Sequence, residues 1–154
     1  MRLDQVVKPN SKVMTKLAQD AIDKITLDAS KGKFQNDRSG YSYKSDTYRK
    51  YKANSMRGKN GKLKAFANQS TDTQTSFVNM KLTGRTLRGM RGSGKTDTAI
   101  ITYDRGEIVL GNQKRGYDIY DLSNKNKEFI ADRFGKELLD RNIKKYVSKT
   151  TIIK

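Results

Sequence analysis

Residues 77–116, FVNMKLTGRTLRGMRGSGKTDTAIITYDRGEIVLGNQKRG, decide the fold. Inside them Gly89–Thr96, GMRGSGKT, satisfies the phosphate-loop pattern G-x-x-x-x-G-K-[ST]. A phosphate loop needs a strand to deliver the glycines and a helix that starts right after the Lys-Thr pair, so that backbone N–H groups and the helix end surround phosphate. The residues after Lys95-Thr96 predict the opposite. Thr98-Ala99-Ile100-Ile101-Thr102-Tyr103 is β-branched and aromatic, a strand signal. Asp104-Arg105-Gly106 then reads as a turn into Glu107-Ile108-Val109-Leu110-Gly111, a second strand. The magnesium carboxylate should end a later strand, but the nearest such candidate, Asp104, falls in that turn, and only 58 residues follow Thr96, too few for several further βα units. The stretch therefore predicts an antiparallel hairpin or meander at about 86–112. The glycines form a flexible link into it, with Arg88, Arg91 and Lys95 as exposed charge.

Outward from this centre, the composition is that of a basic chain with a thin core. Apolar residues make up 34% and charged residues 32% of 154, and one domain spanning 1–154 is the expectation. The chain has neither cysteine nor histidine. That removes thiol nucleophiles, zinc-thiolate sites and the commonest general base, so a non-enzyme with no catalytic, cofactor-binding or metal-ligating set is expected. No apolar run is long enough to cross a membrane and the first 30 residues lack a signal-peptide core, which predicts a soluble protein made in a cytoplasm. Net charge is +17, and residues 31–64 alone carry eleven basic against two acidic side chains. Such a field attracts polyanions or an acidic protein surface.

Two amphipathic helices flank the hairpin. Asn10 or Ser11 caps the first, at about 11–28, whose Met14, Leu17, Ala18, Ala21, Ile22 and Ile25 recur at three- and four-residue spacing. The second runs from a Ser123 or Asn124 cap over about 124–146, with Phe129, Ile130, Phe134, Leu138, Leu139, Ile143 and Tyr146 as its apolar side. Gly135 within it is expected to mark close packing or a kink. Residues 147–154 are expected to be an extended, β-prone tail. The fold class is thus α+β, a small antiparallel sheet packed by a helix from each end of the chain.

Between the first helix and the hairpin, residues 33–76 read as a projecting or loop-rich arm. Tyr41, Tyr43, Tyr48 and Tyr51 alternate there with Lys44, Arg49, Lys50, Lys52 and Arg57, and a short helix is expected from Ser45-Asp46 to about Ser55. Aromatics among cations stack nucleobases while the cations hold phosphates, and the same mixture suits a protein interface. No named nucleic-acid module is present, so the nine residues stand as an interface or DNA-facing set, with DNA or protein left open.

The layout resembles the neck and tail-completion proteins of tailed bacteriophages, including the virion morphogenesis family. Gly40-Tyr41-Ser42 followed by Tyr48 and Lys52 is similar to that family's "PYS…Y…K" segment, without its proline. Val78–Met90, VNMKLTGRTLRGM, is similar to its "VDLTLTG-x-ML-x-x-M" segment, with Asn79 in place of the usual aspartate. Leu82-Thr83-Gly84 carries that likeness, and Ile108–Gly111 corresponds to its strand ending in glycine. A His-x-x-Gly motif is missing. The resemblance implies structural work in the virion: a subunit of a homo-oligomeric ring at the head–tail junction, joining capsid and portal to tail around the DNA channel. Its partners would be further copies of itself, neighbouring portal, head-closure and tail proteins, and channel DNA met non-specifically. Hexameric and dodecameric layers both occur at such junctions. The alternative is a free-standing basic protein that binds nucleic acid through 31–64.

Overall fold

The first helix begins where an asparagine stops the chain being extended. Asn10 Oδ1 accepts a hydrogen bond from Val13 N at 3.0 Å, satisfying one orphan donor of α1 (Ser11–Ser30). Val13, Met14, Ala18, Ala21, Ile22, Ile25 and Ala29 are buried along one side of it, following the helical period. The helix ends at Gly32, whose φ of 72° is left-handed, while Lys33 N donates to Asp28 O at 2.9 Å. A computed structural model describes residues 8–34, 40–54, 72–79, 85–119 and 122–150, with side chains in the last stretch only through 140.

The order is α1, α2 (Asp46–Ala53), α3 (Arg85–Arg88), β1 (Met90–Gly94), β2 (Ala99–Tyr103), α4 (Gly106–Gln113) and α5 (Asn124–Thr150). This is the expected α+β class, a small antiparallel sheet with a helix from each end of the chain, but only α1 packs broadly on the sheet while α5 packs on α1. The hairpin, however, uses different strands from those expected. β1 pairs with β2 in the register Met90↔Tyr103, Gly92↔Ile101, Gly94↔Ala99, and Lys95 N donates to Thr98 O at 2.8 Å to close the turn. The glycine-rich stretch is thus itself the first strand rather than a link leading into one.

Its low β-propensity is overridden by packing. Met90, Gly92 and Gly94 face α1, where a Cβ on Gly92 would lie 3.0 Å from that of Ala18, and one on Gly94 would overlap Ser11 O, Thr15 N and the Met14 side chain. Only glycine lets the strand approach the helix this closely.

Glu107–Gly111, expected as a strand, lies in α4. The chain after the Asp104-Arg105 turn coils instead of returning along β2, with Ile108 N and Val109 N both donating to Arg105 O. Val109 is the one buried residue of this helix, at 1% exposure, and joins Ile22, Ile25, Phe34, Val78, Leu87 and Met90 in the core. Burial of one β-branched side chain decides the segment more than its strand propensity.

α5 runs antiparallel to α1, bridged at about one contact per turn. Lys16 Nζ meets Glu137 Oε2 at 2.6 Å, Arg133 Nε meets Asp20 Oδ2 at 3.1 Å, Lys24 Nζ lies 4.8 Å from the Phe129 ring centre, and Asn126 Nδ2 donates to Asp28 Oδ2 at 2.6 Å. The apolar residues of α5 do not form one side. Ile130 is buried against the body, whereas Leu139, nine residues on and half a helical revolution round, is 62% exposed. Gly135 has open space around it and marks no close packing. The helix continues through Thr150, into the stretch expected as an extended tail, because no glycine or proline interrupts 136–150. Residues 151–154 lie outside the described residues.

Candidate functional site

The arm 33–76 is tied to the body wherever it is described. Phe34 is buried in the core, and Phe34, Tyr41 and Tyr117 form a triangle of rings 5.5–5.6 Å apart. Val78 N donates to Tyr41 O at 2.7 Å, and Tyr117 Oη to Ser42 O at 3.4 Å. Tyr41 and Ser42 are therefore laid beside Val78 and Tyr117, and α2 starts a few residues on.

α2 forms where the sequence predicts it. Ser45 Oγ accepts from Tyr48 N at 3.2 Å as the N-cap, Asp46 lies in the first turn, and Lys50 and Lys52 lie in the last, all in favourable order for the helix dipole. Of the expected interface residues, Lys44, Tyr48, Arg49 and Lys50 are exposed, Lys44 just before α2 and the other three on it. Arg49 Nη2 also meets Asp46 Oδ1 at 2.9 Å, an exposed pair that leaves part of the guanidinium open. Tyr48 stacks on Tyr43 with ring centres 5.4 Å apart, and Tyr51 is half-buried. Tyr41 belongs to the aromatic triangle and is only partly accessible. Arg57, Leu82, Thr83 and Gly84 lie outside the described residues, and Gly111 sits within α4 instead of ending a strand.

Lys52 departs from its expected place on the surface. It is fully buried, at 0% exposure. Its Nζ donates to Asn79 Oδ1 at 2.6 Å and to Tyr43 Oη at 2.7 Å, and lies 5.0 Å from the Tyr43 ring centre. Asn79, 1% exposed, passes the interaction on: its Nδ2 donates to Asp72 Oδ2 at 2.7 Å. An ammonium out of water is costly unless it is hydrogen-bonded and paired, and this chain of phenol, amide and carboxylate meets that need. Burial, more than any other influence, pushes the Tyr43 phenol up to about 12. Asp72 and Asn79 were not singled out as site residues from the sequence. The only signal was Asn79 itself, a polar residue directly after the apolar Phe77-Val78 pair.

At the glycine-rich stretch the geometry is that of a hairpin. Lys95 and Thr96 sit exposed in its turn, and β2 follows where a phosphate loop would start a helix. Asp104, the carboxylate nearest the end of β2, is gripped by Arg91 through Nε and Nη2, both at 3.1 Å. Among the described residues no group of three or more acidic side chains could hold a metal ion, and no helix is long and apolar enough to cross a membrane.

One further surface is apolar. A groove of about 320 Å³ between α1, β2 and α5 is lined by Leu17, Ile25, Ile101, Tyr103, Leu122 and Ile130, with alanines completing it. Comparison with protein-family models, curated proteins and solved structures found no match to this chain.

Proposed function

We propose that the chain is a structural subunit of a tailed-phage virion, a neck or tail-completion protein that assembles into a ring at the head–tail junction and meets channel DNA through α2. The observation that carries this reading is that Arg49 and Lys50, on a helix anchored to the body, and Lys44 just before it are exposed. They are the outer part of a segment with eleven basic and two acidic side chains. Cations on a fixed helix hold phosphates without reading sequence, as a channel wall requires. The apolar groove supports self-assembly, because a second copy covering the half-buried Leu17, Ile101 and Leu122 would complete a core that is thin in the single chain. The α+β layout and the residues of 40–52 and 78–90 support the family assignment, while the helical Ile108–Gly111 departs from the family's strand.

The test is the mass of the purified protein in solution together with its appearance by electron microscopy. The reading predicts closed rings of six or twelve copies of the 17.5 kDa chain. A monomer at all concentrations that still binds DNA tightly would favour the alternative, a free-standing nucleic-acid-binding protein, for which the same exposed residues are the support.

A further inference from the structure

We propose that Lys52 is a positioning residue, a pin that fixes α2 on the body and so aims the basic face that Lys52 itself does not share. This rests on the reading of α2 as the DNA-facing element. Lys52 is the one buried residue of α2. The other described contacts are slight: Tyr48 against the Tyr43 ring, and Tyr51 half-buried. A helix of eight residues is marginal alone, so its order must come from what it is attached to. Lys50, two residues away, lies on nearly the opposite side of the helix by geometry, so anchoring Lys52 turns Lys50 outward.

The anchor is directional. Asn79 turns Oδ1 to the ammonium at 2.6 Å and Nδ2 to Asp72 Oδ2 at 2.7 Å. An amide serves both neighbours at once, accepting from a cation and donating to an anion. A carboxylate at 79 would serve Lys52 and oppose Asp72. Exchanging the two groups, with Asp at 79 and Asn at 72, restores complementarity in the reverse order. An apolar side chain at 52 would leave Asn79 Oδ1 buried without this donor.

The experiment is amide hydrogen exchange on the full chain, with DNA affinity measured on the same samples. Lys52→Met is expected to speed exchange across Asp46–Ala53 by about 10-fold or more, the effect of removing the short charge-assisted bonds to Asn79 and Tyr43, while α1 and α5 stay within about twofold. Affinity for a short duplex is expected to fall with it. Asn79→Asp is expected to speed α2 exchange in the same way, and Asn79→Asp with Asp72→Asn to bring it back near the wild-type rate. Unchanged α2 exchange in Lys52→Met overturns the proposal, as does an increase shared equally by α1 and α5, or a double variant no better than Asn79→Asp. If α2 exchange responds as expected and DNA affinity does not, the pin stands and the DNA-facing reading of α2 is what fails.

Discussion

Gly94 lies so close to the first turn of α1 that a Cβ there would overlap the Ser11 carbonyl oxygen. The glycines of Gly89–Thr96 thus answer to packing between strand and helix. Gly94→Ala is expected to destabilise the protein by roughly 2–3 kcal/mol, since backbone must shift to make room. Gly92→Ala, whose Cβ would meet Ala18 at 3.0 Å, costs about 1 kcal/mol. Gly111→Ala, in open space inside α4, stabilises by about 0.5–1 kcal/mol. Thermal or urea unfolding of the three variants checks the order, and Lys95→Ala should fall within about 0.5 kcal/mol of wild type.

Tyr43 sets an alkaline limit. Its phenol is pushed up to about 12 in the folded chain against an ordinary 10, mainly by burial. The folded state holds that proton more tightly, so the contribution to stability is complete below pH 10 and is lost as pH rises toward 12. Absorbance titration should find one tyrosine ionising well after the exposed ones. Urea midpoints should fall over the same window, and Tyr43→Phe should remove this part of the fall.

The α1–α5 ladder is an orienting device of small energy. Lys16 and Glu137 are partly exposed, so a double-mutant cycle on them should give a coupling of about 0.5 kcal/mol that shrinks in 1 M salt. A coupling several times larger would mean the helices hold each other through these charges.

α1, α2 and the start of α5 were legible from the sequence because their signals are local. The Asn10 and Ser45 caps, the α1 stripe and the Gly32 stop all act over one or two turns. The existence of a hairpin was legible too, from Ala99–Tyr103. Its first strand was not, because MRGSG has no strand propensity and is placed by what α1 leaves room for, a contact some 80 residues distant in the chain. Ile108-Val109 failed for the converse reason: strand-prone residues coil when one of them, Val109, is buried in the core from a helix. At the candidate site, composition marked out the exposed Lys44, Tyr48, Arg49 and Lys50. It could not separate Lys52 from them, since what buries that lysine is Asn79, 27 positions later.

The most direct test of the account is the affinity of the protein for duplex DNA as a function of salt, with and without Lys44→Gln, Arg49→Gln and Lys50→Gln combined. If α2 meets the backbone, the wild type loses affinity steeply with salt, and the triple variant binds more weakly with a log–log slope reduced by roughly one for each lost phosphate contact. Equal affinity and equal slope in the two proteins would contradict the central claim that this face of α2 is where the protein meets DNA.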